Sequence, residues 1–179
     1  MKLDYIHVNS KYKDINKLKH LYEHAFPIEE RPPFFWLREM KNNELYAVEL
    51  DSTFVGLVDI VRCEDLLYVF FLAVKKTYRG KGIGATILDD LYKKYNNYRL
   101  FLMAENPNVS CDNKEERIHR INFYKKNNYV VSNHKVQEFG VDYLILYRSK
   151  EVDKDDFLKC MKLVIEKEFY ENIYLKNVK

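Results

Sequence analysis

Hydrophobic and polar positions alternate over residues 3–8, which predicts a short first strand. Over residues 12–26 the period changes. Ile15, Leu18, Tyr22 and Phe26 recur at helical spacing, Asn9 and Ser10 offer capping side chains ahead of them, and Pro27 ends the run. Residues 28–33 hold two prolines and read as a loop, followed by a short helix over 34–40. Residues 44–50 and 53–61 read as two strands joined at Asp51-Ser52. Residues 66–74, LLYVFFLAV, are apolar throughout, aromatic and β-branched, which suits a strand covered on both faces. A glycine-bearing turn over 75–83 leads into a helix over about 84–95, with Ile87, Leu88 and Leu91 inward. A strand over 99–104, a polar loop over 105–114 and a helix over 115–127 follow. That helix places Ile118, Ile121 and Tyr124 or Lys125 on one side, and Asn128 behind it can take the left-handed conformation that closes helices. Strands over 129–136 and 141–149 form a terminal pair. Asp153, with Asp156 three residues later, starts a last helix striped by Leu158, Met161, Ile165 and Phe169. The order β-α-α-β-β-β-α-β-α-β-β plus a tail helix predicts an α/β fold with a mixed sheet.

A length of 179 residues allows one ordinary domain. The division expected is a domain over 1–150 and a helical extension over 151–179, packed on that domain or on a partner. No apolar run reaches the roughly 18–20 residues that cross a bilayer, and the first residues lack the apolar stretch of a secretion signal. A cytoplasmic protein without a membrane partner is therefore expected. Lys and Arg number 30 against 27 for Asp and Glu, too small an excess to argue for a nucleic-acid surface, so any anion site must be local. Cys63, Cys111 and Cys160 are far apart and make no metal-ligand spacing, so reduced thiols are expected. His20 and His24 can share a helix face but lack a third ligand nearby, so no metal is expected.

The informative stretch is Val74-Lys75-Lys76-Thr77-Tyr78-Arg79-Gly80-Lys81-Gly82-Ile83-Gly84-Ala85. An apolar strand runs into a turn with glycines at alternate positions, and a helix begins there. Glycines adopt backbone conformations other residues avoid, and a helix start offers unpaired N–H groups and positive dipole. Together they make a phosphate cradle, with Arg79 and Lys81 adding charge at its rim. The spacing is neither GxxxxGK[ST] nor GxGxxG. As Arg79-x-x-Gly82-x-Gly84 it resembles the coenzyme-A loop of the GCN5-related N-acetyltransferase (GNAT) superfamily. A second match, Arg120-Ile121-Asn122-Phe123-Tyr124-Lys125-Lys126-Asn127-Asn128-Tyr129, looks like the family's FYxxxGF segment, with Asn128 in place of the glycine. Arg117 stands where many members carry an asparagine. The resemblance covers about residues 3–149 and leaves out the tail helix.

The resemblance implies a mostly antiparallel, twisted GNAT sheet flanked by helices, and direct transfer of the acetyl group of acetyl-CoA to an amine acceptor. It implies backbone contacts to the coenzyme from Leu72, Ala73 and Val74, and a cradle formed by Arg79, Gly80, Lys81, Gly82, Ile83, Gly84 and Ala85. Tyr124 is the implied proton donor to the leaving thiolate. No carboxylate lies between residues 66 and 74, so Glu105, at a strand end before Asn106-Pro107, is the first candidate for the base. Glu29 and Glu30, with Trp36, are candidates for the acceptor wall, where acidic groups suit a cationic amine. A monomer or homodimer is expected. Two other classes compete with the enzyme: a non-catalytic acyl-CoA-binding module, and an interaction module that docks a partner through residues 153–174.

Overall fold

The computed structural model describes residues 1–9, 11–28, 31–38, 40, 42–138 and 140–164. Among the described residues seven strands and five α-helices follow in the expected order: β1 (Asp4–His7), α1 (Ile15–Ala25), α2 (Phe34–Leu37), β2 (Asn43–Leu50), β3 (Thr53–Cys63), β4 (Leu66–Val74), α3 (Ile83–Lys94), β5 (Arg99–Glu105), α4 (Lys114–Lys126), β6 (Tyr129–Glu138), β7 (Val141–Arg148) and α5 (Lys154–Val164). The strands form one sheet in the order β1-β2-β3-β4-β5-β7-β6. β4 and β5 pair in parallel, while β1–β2, β2–β3, β5–β7 and β6–β7 pair antiparallel. This is the mixed α/β sheet expected from the periodicities, and mostly antiparallel as the resemblance implied.

Local rules explain the boundaries. Asp51 and Ser52 take positive φ values of 49° and 60°, as a two-residue hairpin between β2 and β3 requires. Asn128 sits at φ 65°, closing α4 in the left-handed conformation. The Asp153 carboxylate accepts the Asp156 N–H at 2.9 Å and caps α5. At α1 the cap differs from expectation. Asp14 precedes the first turn, and the Asn9 side chain instead accepts the Lys11 N–H at 2.8 Å in the turn before it. β6 runs two residues further than its apolar pattern, because Gln137 and Glu138 pair with Asp142 and Val141 across the hairpin.

The chain divides into two compact units. The first comprises Met1–Val61 and Val69–Tyr95. Its core joins Leu18 and Tyr22 of α1, Leu37 of α2, and Leu45, Ala47, Leu57, Phe71 and Ala73 of the strands. Phe71 packs edge-on against Tyr22, with ring centroids 5.1 Å apart. The Tyr22 hydroxyl donates to the Pro32 carbonyl at 2.8 Å, which ties the proline-rich loop to α1. Gly56 of β3 lies so close to β4 that a Cβ there would stand 2.6 Å from the Ala73 carbonyl oxygen. Only glycine lets the two backbones approach so closely.

The second unit comprises Arg62–Tyr68 and the described residues from Asn96 onward. Tyr68 stacks on Phe101 at 4.6 Å, and Phe157 of α5 meets Phe101 edge-on at 6.0 Å. Arg99 donates to Asp65 at 2.7 Å and pairs with Asp156, holding both carboxyls below the usual carboxylate range. α5 is thus docked by an aromatic stack and an ion-pair bridge. Ile165 and Phe169 of the expected stripe, and the end of the expected helix to residue 174, lie outside the described residues; Leu158 and Met161 lie within α5.

One expectation is overturned. Cys63, at the end of β3, and Cys160 of α5 form a disulfide, with Cα atoms 5.2 Å apart. Their separation of 97 residues hid the pairing, because proximity here is created by the fold. Cys111 remains a free thiol.

Candidate functional site

β4 leads through a short 3-10 turn, Lys76–Tyr78, into α3. Gly80 and Gly82 take φ values of 74° and 82°, a region that other residues enter only with strain. Gly82 is the residue that starts α3, and no side chain caps it. The first turn carries no acidic residue, so the N–H groups of Ile83, Gly84 and Ala85 meet no competing anion on their own helix. An added Cβ would meet nothing within 4 Å at Gly80 and only the Met1 side chain, at 3.9 Å, at Gly82, so the main chain of this loop is open to a ligand. Arg79 and Lys81 are exposed at the rim. The Arg79 Nε donates back to the Val74 carbonyl at 3.1 Å, which fixes its stem to the end of β4, and Lys81 lies over the Tyr78 ring at 5.1 Å. Leu72 and Val74 are half-buried and Ala73 buried at the same strand end.

Also in the first unit, Trp36 is half-buried on α2, beside Phe35, whose side chain is 65% exposed. Glu29 and Glu30 lie outside the described residues. Arg31 donates to the Phe26 carbonyl at 3.1 Å and lies over the Tyr22 ring. The sequence reading missed Asp59 of β3. It is completely buried, neither carboxyl oxygen makes a hydrogen bond of normal geometry, and burial pushes its pKa well above the usual carboxylate range against the lowering influence of the Asn43 amide. The column Leu57, Asp59, Val61 carried the signal, since strand alternation sends a carboxyl where its neighbours send methyl groups.

In the second unit, the parallel ladder of β4 with β5 comprises Leu66↔Arg99, Leu67↔Leu100 and Tyr68↔Phe101, and β5 runs on to Glu105. Glu105 is 4% exposed. Its carboxylate forms ion pairs with Arg117, at 2.7 Å, and with Arg120. Arg117 also donates to the Asn113 side chain at 2.7 Å and to the Asn106 carbonyl at 3.3 Å. The sequence reading missed both arginines as partners. They lie three residues apart, hence on one face of a helix, and that spacing was the available signal. Tyr124 is half-buried further along α4, with its ring 5.9 Å from that of Tyr129. Burial raises the Tyr124 phenol above its ordinary value near 10, and the positive charge of Arg120 acts in the opposite sense. Tyr129 is buried with its hydroxyl unpartnered.

Among the described residues no group of three or more His, Cys, Asp or Glu could hold a metal ion. The rings of His20 and His24 lie 3.9 Å apart, and the His24 Nδ1 is bonded to the His20 carbonyl. No described helix is long and apolar enough to cross a membrane.

Comparison with known proteins bears on the fold and the family. The model of the acetyltransferase (GNAT) domain family matches residues 41–131. A comparison with curated protein sequences gives no match. Among solved structures, a Bacteroides thetaiotaomicron protein assigned to the GNAT family superimposes with a TM-score of 0.71 at 20% identity, over 88% of this chain and 92% of that one. A GNAT acetyltransferase from Elizabethkingia anophelis, solved with acetyl-CoA bound, gives a TM-score of 0.60 at 15% identity, over 83% and 98% of the two chains. Arabidopsis thaliana Naa50, solved with a bisubstrate analogue, CoA-Ac-MVNAL, gives 0.58 at 20% identity, over 84% and 100%. At these identities the likeness is one of fold.

Proposed function

The chain belongs to the GNAT acetyltransferase family, and on that premise we propose that it moves the acetyl group of acetyl-CoA directly to an amine. The observation that carries the reading is the start of α3. A left-handed Gly82 without a capping side chain, no acid in the first turn, and two basic residues at the rim suit a diphosphate. Arg79, Gly80, Lys81, Gly82, Ile83, Gly84 and Ala85 would hold the pyrophosphate of the coenzyme. The main-chain groups of Leu72, Ala73 and Val74 would run along its pantetheine arm, and an N–H there would stabilise the carbonyl oxygen as it gains charge. The amine attacks in its neutral form, the C–N bond forms, and the C–S electron pair leaves on sulfur. Tyr124 would donate its hydroxyl proton to that sulfur.

Glu105 fits the base role poorly. Two guanidinium groups engage its oxygens, so its lone pairs are occupied. We assign it to holding α4, and the amine proton to solvent. Trp36, with Glu29 and Glu30, is kept as the candidate acceptor wall.

Gly82→Asp tests the cradle by placing a carboxylate where the diphosphate approaches. Acetyl-CoA affinity should fall by at least about tenfold, roughly 1.4 kcal/mol. Gly82→Ala, which adds a Cβ at the same φ without charge, separates backbone strain from repulsion. Calorimetry showing parental affinity in a folded Gly82→Asp protein would remove the loop from the site. Turnover is read as CoA release, with a thiol reagent, from acetyl-CoA mixed with spermidine, lysine, an aminoglycoside or a peptide bearing a free N-terminus. Binding of acetyl-CoA without release for any amine would favour the non-catalytic module.

A further inference from the structure

We propose that Arg117 and Arg120, gripped by Glu105, are positioning residues for Tyr124: Arg117 fastens the first turns of α4 to the end of β5, and Arg120 holds a positive charge one helical turn before the phenol. The inference rests on the acid role given to Tyr124 above. Its geometric basis is independent of that role. Glu105 is nearly inaccessible and spends both oxygens on α4, while Arg117 reaches back to Asn113 and to the Asn106 carbonyl. The strand end is therefore linked to the cap of α4 through Asn113 and to its first two turns through Arg117 and Arg120. Arg117 occupies the place where the family resemblance implied an asparagine. Here it is committed to Glu105, so it serves the helix and not a ligand.

Arg120 and Tyr124 are four residues apart and share a face of α4. From β6 the buried Tyr129 ring lies 5.9 Å from the Tyr124 ring and is itself influenced by Arg148 of β7, and on α4 the Phe123 ring lies 5.3 Å away. The charge that acts on the Tyr124 phenol is that of Arg120, and Glu105 engages it through Arg120. As the C–S pair leaves and the phenol gives its proton to sulfur, negative charge grows on the phenol oxygen. A guanidinium one turn away favours that charge, and the oxygen then recovers the proton that the amine released to solvent.

The test separates charge from packing. Arg120 is 41% exposed at its side chain, so Arg120→Gln should fold, whereas Glu105→Gln strips the arginines of their counter-charge. With the amine that gives fastest CoA release, Arg120→Gln is expected to lower kcat by about threefold to thirtyfold, within the range of electrostatic contributions. KM for acetyl-CoA should change less than about twofold, as for an interaction made after binding. Removing a positive charge raises the phenol pKa, so the alkaline limb of the kcat profile should move to higher pH, and Arg120→Lys should restore both rate and limb. In a Tyr124→Phe background Arg120→Gln should add nothing. A readout free of turnover is ultraviolet titration of the phenols: Arg120→Gln should delay one tyrosine, and only when Tyr124 is present. An unchanged titration, or a full additional loss of rate in the Tyr124→Phe background, overturns the inference and leaves the acid role intact. Parental turnover of Tyr124→Phe itself overturns the acid role and this inference with it.

Discussion

Tyr124→Phe is expected to lower the turnover rate by about tenfold to a hundredfold or more, with little change in acetyl-CoA affinity. The substitution removes one oxygen and leaves the ring that packs against Phe123 and Tyr129. The cradle proposed at Gly82 lies at the start of a different helix, so binding should persist. Burial strengthens the case that the phenol keeps its proton, since its pKa lies above the ordinary value and the donor form persists throughout the neutral range. Tyr129→Phe is the matching control. Its hydroxyl is buried without a partner, so removing it relieves an unsatisfied group and should leave the protein as stable as before or more so. Stopped-time CoA release on both variants, with melting curves to confirm folding, gives the comparison. Parental turnover in Tyr124→Phe would return that ring to simple packing.

The second large effect concerns the bond between Cys63 and Cys160. Opening it is expected to lower stability by about 2–5 kcal/mol, because it closes a loop that spans 97 residues and so restricts the unfolded chain strongly. The α5 helix should remain docked when the bond is open, since Phe157 still meets Phe101 and Arg99 still bridges to Asp65 and Asp156. The predicted result is a lower midpoint and not an unfolded unit. Urea unfolding of the Cys63→Ser, Cys160→Ser protein against the parent measures the difference. A parent whose midpoint is insensitive to a thiol reductant, and equal to that of the double variant, would mean that the cysteines are not joined. The bond also qualifies the expectation of a reduced cytoplasmic protein, because such links persist in oxidising surroundings and are rare where thiol reductants dominate.

These two predictions differ in how far the sequence alone could carry them. The Tyr124 assignment came from a local string, Phe123-Tyr124, set four residues before Asn128, and α4 indeed ends at that asparagine in the left-handed conformation. Strand and helix order was legible throughout because each element announces itself by its own period, from the alternation of β1 to the continuous apolar run of β4. The turn proposed as the cradle was legible as strand, glycine turn and helix because glycine spacing, charge and a following helix all sit within twelve residues. What escaped was non-local. The Cys63–Cys160 link joins elements far apart in the chain. Glu105 looked like a free carboxylate at a strand end, and only the folded chain brings two guanidinium groups to it. The burial of Asp59 was hidden for a related reason: the alternation gave its face, but not that α1 and α2 would cover that face completely.

Asp59 makes the proton a ligand of the folded state. An unfolded aspartate releases its proton near pH 3.9, while the buried carboxyl retains it to a much higher pH, so folding takes up a proton anywhere between those values. Stability from this group is therefore complete below the unfolded value and declines as pH rises through the window, opposite in sign to a carboxylate engaged by arginine. The Asn43 amide beside it favours the anion, but burial outweighs that influence. Asp59→Asn cannot ionise and should flatten this dependence, so the parent should lose more unfolding free energy than the variant between about pH 4 and pH 8. Equal pH dependence in the two proteins would show that Asp59 keeps its charge when buried. In chemical terms β3 carries a titratable brake on its own stability, released by acid and applied by base.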